Sequence, residues 1–365
     1  MPILTVKRDE LKKGMQKTSK IAGSSSNLDN MRAYYFVVKD GTMTLASSDL
    51  KLTLFAKVAA VVEEDLPVFA VDSKRLDELV KLSEDEISFE PVGGEVKIQT
   101  GSYKTSWAMK STEMFEHDVS EGEWTEEWNA SEFRFAIDSL LSVSDKTHVI
   151  NDSDNNIYFD KLRGFCFDGA NLAIVPFQTK EQFVISNSIG KQLRLLAESG
   201  KMKVKRINGD SIVVIETETD LFSFRDPIYE QGYDIDNIIS NLEEQAVLAM
   251  TKEPLLRSLK RMALTGEDDL EAELVIDSPS SALLSLKTYV KGEQSVDELK
   301  ISRAKATALN KISFGCNLND FIMLASSVPS DIVRVHFFNS RQAGTLLSVQ
   351  DESKRFVGYL SYEEA

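Results

Sequence analysis

The chain has 365 residues, with 42 Lys and Arg against 58 Asp and Glu, a formal charge of −16, 42% apolar residues and 27% charged ones. That is the composition of a soluble globular protein of two or three domains, with length enough for sizeable cores. It contains no apolar run near the roughly 18 residues that a membrane helix needs. Two cysteines, Cys166 and Cys316, cannot build a disulfide framework and suit a reducing compartment. The opening Met1–Asp9 is charged and lacks an apolar signal core, so the expected location is the cytoplasm, with no membrane partner. His117, His148 and His336 lie far apart, which leaves little for a metal site, and no cofactor is expected. An acidic chain argues, at first sight, against a nucleic-acid partner.

Taken in chain order, six segments read as amphipathic helices, at 9–20, 72–83, 131–143, 186–199, 251–264 and 317–328. Their starts are 63, 59, 55, 65 and 66 residues apart, and every second start is 122 or 120 apart. This spacing predicts three similar bipartite α+β domains, 1–124, 125–247 and 248–365. After each even-numbered helix comes the same series of strand, Gly-containing turn, strand, polar turn and strand, at 86–110, 201–226 and 332–361. Trp107 with Met109, and Phe222 with Phe224, alternate as in sheets buried on one face. The acidic stretches Glu113–Asn129 and Tyr229–Gln245 lack the periodicity of a buried element and read as connectors.

At 100° per residue, Leu11, Met15 and Thr18 form the inner stripe of the first helix, and Lys13, Lys17 and Lys20 fall at about 180–240° from it. In the fifth helix Leu255, Leu259 and Met262 lie inward, and Arg257, Lys260 and Arg261 lie outward. The second helix turns Lys74 and Lys81 outward, and the fourth turns Lys191 and Arg194. The third offers only Arg134 near that face, and the sixth no basic residue. A solvated helix face in an acidic chain should carry mixed signs. Single-signed positive faces are a polarised arrangement that can neutralise phosphates.

Specific stretches add a resemblance. ILTVKRDELKKGMQKTSK (3–20), KDGTMTLASSDLKLTLFAKV (39–58), FAVDSKRLDELVKLSED (69–85) and FDGANLAIV (167–175) are similar in order and spacing to segments of the bacterial sliding clamp, the β subunit of DNA polymerase III. The resemblance covers nearly the whole chain and is strongest in the first 125 residues. It implies the DNA clamp fold: antiparallel sheets outside, helices lining a ring, and a head-to-tail homodimer closing it. It also implies a non-catalytic processivity factor whose partners are double-stranded DNA, bound without sequence preference, a DNA polymerase, a clamp loader and a second copy of itself. The basic helix faces then become the DNA lining.

By position in that family, the subunit joint involves Lys104 and Trp107 facing Leu264 and Glu298, although Trp107 reads equally well as a core aromatic. The family's partner-peptide cleft maps to Phe167, Gly169, Leu172, Val357 and Tyr359. Here the chain departs from the pattern. Ala170-Asn171 stand where the family has His-Arg, Gly358–Tyr362 replace its Met-Pro-Met-Arg ending, and Gln231-Gly232-Tyr233 replace Phe-Pro-Asp-Tyr. The cleft is thus either retuned for other peptides or weak, as in a divergent phage or mobile-element copy. Two other readings stand beside this one: a clamp-fold scaffold not loaded on DNA, and a mixed α+β enzyme. The enzyme reading lacks a phosphate-binding Gly loop or a nucleophile elbow, and its acidic pair Asp268-Asp269 sits in a turn.

Overall fold

The structure, a computed structural model, describes residues 4–22, 32–49, 52–113, 115, 119, 122–144, 156–167, 171–196, 200–207, 212–218, 220–225, 235–266, 268–279, 281–290, 293–301, 303–306, 311–340 and 344–364. The described elements follow one plan six times, a strand, a helix and a three-stranded meander. The first module is β1 (Leu4–Lys7), α1 (Arg8–Ala22), β2 (Ala33–Lys39), β3 (Thr42–Ser48) and β4 (Leu52–Val58), trailed by β5 (Ala60–Val62). The second is β6 (Leu66–Asp72), α2 (Ser73–Leu82), β7 (Glu86–Val92), β8 (Glu95–Thr100) and β9 (Tyr103–Ala108). The third is β10 (Glu126–Asn129), α3 (Ala130–Ser144), β11 (Asn156–Phe159), β12 (Arg163–Phe167) and β13 (Asn171–Pro176). The fourth is β14 (Phe183–Ser186), α4 (Asn187–Leu196), β15 (Lys201–Ile207), β16 (Ile212–Glu216) and β17 (Asp220–Arg225). A short α5 (Ile235–Ser240) precedes the fifth, which is β18 (Glu243–Thr251), α6 (Lys252–Ala263), β19 (Asp269–Ser278), β20 (Ser281–Val290) and β21 (Glu293–Ile301), followed by β22 (Arg303–Ala306). The sixth is β23 (Lys311–Asn317), α7 (Leu318–Ser327), β24 (Ile332–Ser340), β25 (Gly344–Gln350) and β26 (Val357–Ser361), ending in β27 (Glu363–Glu364).

Each leading strand joins its neighbour's meander rather than its own. The six such pairs are β1 with β7, β6 with β2, β10 with β15, β14 with β11, β18 with β24 and β23 with β19, all antiparallel. A strand leading straight into a helix cannot pair with the strand that returns from that helix without a long loop. Exchanging leading strands between two modules supplies both edges at once.

The chain divides into two compact units, Met1–Ser131 with Lys191–Pro227, and Glu132–Gly190 with Ile228–Ala365. The first holds a five-stranded sheet, β5-β1-β7-β8-β9, and an eight-stranded sheet, β10-β15-β16-β17-β4-β3-β2-β6. The second holds a nine-stranded sheet, β14-β11-β12-β13-β26-β25-β24-β18-β22, and a five-stranded sheet, β21-β20-β19-β23-β27. In each unit two meanders fuse at their last strands. β4 meets β17 with Leu54 opposite Phe222, and β13 meets β26 with Leu172 opposite Tyr359.

Helices cover one face of the sheets. In α1 the spacing of Leu11, Met15 and Thr18 buries one stripe against β3 and β4. Gly14 lets the helix come close, because a Cβ there would lie 2.6 Å from Val58 Cγ2. Asp72 caps α2 by accepting the Arg75 N–H at 3.0 Å, and Asn317 caps α7 by accepting the Asp320 N–H at 3.1 Å. Glu253 in the first turn of α6, with Lys260 and Arg261 in its last, suit the helix dipole. Both cysteines are buried, and burial pushes the Cys316 thiol up to about 12, which keeps it a neutral core thiol.

The six expected helices all form, within three residues of the expected bounds at each end. α5 was not expected, since 229–245 read as a plain connector. The other connector is also less solvated than its acidity suggests. Phe115 is buried, stacked on Tyr35 with centroids 4.0 Å apart. Each connector hides apolar side chains on the face of a fused sheet that points away from the helices. Phe115 and Val119 cover Tyr35 and Phe55, and Ile235 and Ile239 cover Tyr158, Phe165 and Leu172. A larger side chain at the α1 contact should be costly. Gly14→Leu is expected to lower stability by about 1–3 kcal/mol through overpacking, read as a fall in the urea midpoint with unchanged slope.

Candidate nucleic-acid interface and open strand edges

The six helices other than α5 carry 15 basic and 8 acidic residues, a net of +7 in a chain whose total is −16. The excess is uneven. α1 and α6 each hold +3 and α4 +2, whereas α3 and α7 are each −1. The charge polarisation read from the helical wheels is therefore real and concentrated on a few helices.

The cations differ in what holds them. Lys13 is exposed and pairs with Glu10 at 2.6 Å, a contact that holds its ammonium above the usual lysine range. Lys81 pairs with Glu78 at 2.8 Å in the same way, through hydrogen bond and charge together. Arg257 pairs with Glu253, one turn earlier on its own helix. Such exposed pairs are weak and remain available to a phosphate. Lys74, Lys191, Arg194 and Lys260 are exposed on their helices. The Lys20 side chain lies outside the described residues.

Two predicted lining residues are instead tied down. Lys17 Nζ donates to both carboxylate oxygens of Asp220, at 2.9 and 2.8 Å, and the Asp220 side chain is only 5% exposed. Arg261 reaches Asp297 at 2.5 Å, where Ser258 Oγ also donates at 2.6 Å, pinning α6 to β21. A helical wheel cannot find these partners, because they lie 203 and 36 residues away. The wheel also passes over Lys12. It lies on the exposed side of α1 in a groove of about 320 Å3 between α1 and α2, shared with Arg8, Gln16 and Lys81.

Among the described residues, β9 and β21 are the meander ends that no other meander joins. Trp107 is buried on the helix side of β9, with the Arg75 guanidinium 5.1 Å from its ring centroid, so its core character holds. Lys104 is on the opposite face of that strand, opposite Gln99. A groove of about 670 Å3 lies between α2 and the end of β9, lined by Leu79, Leu82, Tyr103 and Trp107 among others. Leu82 beside it is 82% exposed. At the other edge, Leu264 just after α6 is 85% exposed, Val296 on β21 is also exposed, and Glu298 points away from the helices. Exposed large apolar side chains thus gather at both open edges.

Of the residues expected at the peptide cleft, Phe167, Leu172 and Tyr359 form one apolar cluster with Tyr158, Phe165 and Ile239. Val357 is beside it, opposite Ile174. Gly169 lies outside the described residues. Leu172 is buried, and α5 covers the cluster, so this face is closed rather than open.

Further along the same face of that sheet lies His336, buried, with Nδ1 3.1 Å from Glu244 Oε2, and Gln350 on its other ring nitrogen. Burial lowers its affinity for a proton, Glu244 opposes that shift, and Arg334 and Lys354 add to it. His117 and His148 lie outside the described residues.

No protein-family model matches the sequence and no curated protein does. Solved structures do match. A DNA polymerase sliding clamp from Bacillus subtilis aligns over 100% of this chain and 99% of its own, at a TM-score of 0.82 and 11% identity. A putative DNA polymerase III beta subunit from Eubacterium rectale gives 0.80 at 16% identity, with 100% and 99% covered. The DNA polymerase III subunit beta from Pseudomonas aeruginosa gives 0.80 at 16% identity, with both chains covered in full. The chain has the sliding-clamp fold. Identity this low, with the same order of elements from end to end, makes it a divergent example of the clamp architecture.

His336 gives this clamp fold a pH signature. Its folded-state affinity for a proton is below the ordinary value of 6.5, so the unfolded chain binds that proton first and stability is lost as pH falls below about 6.5. The urea midpoint is expected to drop from pH 7 to pH 5, and to drop less in His336→Gln.

Proposed function

We propose that this chain is a sliding clamp: a homodimeric ring that encircles duplex DNA and tethers a DNA polymerase, with no catalysis of its own. The observation that carries the reading is the clamp fold over the whole chain, together with a positive excess confined to particular helices of an acidic protein. In this reading the six modules form three domains, 1–124, 125–247 and 248–365. The cations of α1, α2, α4 and α6 face phosphates through long-range attraction that reads no base sequence, so the ring is held and still slides. The acidic remainder of the surface discourages DNA from binding outside. A clamp loader opens the ring, and the setting is the cytoplasm.

The pairing rule supports the dimer. The first module's last strand joins the fourth's, and the third's joins the sixth's. Continuing the series, the fifth module's β21 joins the second module's β9 in another copy, head to tail. Lys104 and Glu298 then meet on the sheet's outward side. Leu264 and Trp107 meet on the helix side, with Leu264 seated in the groove beside Leu79, Leu82 and Tyr103. Completing both open edges removes their unpaired backbone groups from water.

Two measurements test this. The solution mass should be about twice 40.8 kDa, and Leu264→Asp should yield a monomer of unchanged fold; a wild-type monomer at all concentrations would sink the ring. Loaded protein should stay on nicked circular DNA and slide off after linearisation. Lys13, Lys74 and Lys260, each changed to Glu, should abolish that retention without unfolding the chain, and retention at wild-type level would exclude those faces as the lining. Lys17 and Arg261 make poorer probes, since reversing them would set acid against Asp220 and Asp297.

A further inference from the structure

In the second compact unit, the sheet face that points away from the helices carries a continuous apolar row. Val184, Tyr158, Phe165, Ile174 and Val357 stand opposite one another on successive strands, with Leu172 and Tyr359 beside them. Most of these side chains are buried although they lie on an outward face. The cover is α5: Ile235 is buried and Ile239 half-buried, and they are spaced one helical turn apart on the same side.

What holds the cover is slight. Among the described residues no backbone hydrogen bond joins α5 to a strand of this sheet. The fixed half of the tether is Arg163, whose Nε donates to Asp160 Oδ2 at 2.8 Å. Its Nη2 reaches Asp236 Oδ1 on α5 at 2.8 Å, and the Asp236 side chain is 80% exposed. An ion pair so wet contributes little. The connector of the first unit differs. There Lys110 N–H bonds the Ala70 carbonyl at 2.9 Å, and Phe115 is stacked flat on Tyr35. One connector is sewn to its sheet by backbone and aromatic stacking. The other rests on two isoleucines and a latch.

We propose that α5 is an intramolecular occupant of the partner-peptide face, kept shut by the Arg163–Asp236 latch, and that a partner segment bearing two aliphatic side chains one helical turn apart takes its place. The proposal rests on reading this face as the clamp's peptide site. The seat that α5 fills defines the ligand: two branched apolar anchors, with an acidic group between them that can take over Arg163. Because α5 is tethered, its effective concentration at the face is on the order of millimolar. A free peptide therefore competes poorly until the latch is weakened. Peptide affinity is thereby set by the chain itself.

The test uses a fluorescein-labelled peptide of residues 231–242 of this chain, titrated by anisotropy against the full-length protein. Asp236→Asn should bind it about fivefold tighter than wild type, the gain expected from losing one exposed ion pair. Ile235→Ser with Ile239→Ser should bind tighter still, and a peptide with both isoleucines replaced by serine should not bind. If the double variant fails to fold, Asp236→Asn alone decides. Binding no tighter than wild type, in variants that melt as wild type does, would make α5 a permanent strap and overturn the proposal. Retention on nicked circular DNA is measured on the same proteins. If the peptide fails while retention persists, only the latch is wrong. If wild type is not retained, the clamp reading itself has failed.

Discussion

The constraint on which the rest of the structure depends is that every strand edge needs a partner. Backbone N–H and C=O groups at an unpaired edge must face water or another strand, and a meander that ends in open space is a template for association. Six modules solve this by exchanging leading strands, which closes one edge of each meander. Fusion closes the other edge for four of them. The count leaves β9 and β21, one edge in each unit, both bordered by exposed apolar side chains. Association between copies is therefore a consequence of strand arithmetic that began inside a single module.

Charge placement follows from the same plan. Each helix sits on one face of a sheet and turns its outer side to solvent. That outer side can hold cations in a chain that is acidic overall. The ion pairs seen on α1, α2 and α6 are of two kinds with different consequences. Pairs within a helix, such as Lys13 with Glu10, are surface contacts that a phosphate can outcompete. Pairs that leave the helix, Lys17 with Asp220 and Arg261 with Asp297, fasten helix to sheet. The same residue types in the same helical stripe thus do two jobs, and burial of the acid separates them.

The opposite sheet faces obey a simpler rule. Where a connector crosses, as over Tyr35 and Phe55 or over Phe165 and Leu172, the outward side chains are apolar. On β8 and β9, the outward positions are Glu95, Lys97, Gln99, Lys104 and Ser106. The chain supplies apolar residues on that side only where it also supplies a cover. This explains why Leu172 and Tyr359, expected to line an open cleft, are found under α5.

Much of the architecture was legible in the residues alone. Helix positions followed from the spacing of apolar side chains, as with Leu11, Met15 and Thr18. The half-domain repeat followed from the regular distance between helix starts. The basic faces followed from a helical wheel. These are local properties, carried by periods of two and 3.6 residues that any stretch of chain displays by itself. Three things were settled only by tertiary structure, each because it depends on residues distant in sequence. The acids that claim Lys17 and Arg261 come from strands of other modules or from beyond the helix. α5 is six residues long and gains its stability from the sheet it covers rather than from its own periodicity, so 229–245 read as an unstructured acidic connector. Which strands remain open is a property of the completed sheets. The sequence by itself determined what each segment would become and which surfaces would be charged. Only the folded chain decided which of those charges are already spent and which edges still lack a partner.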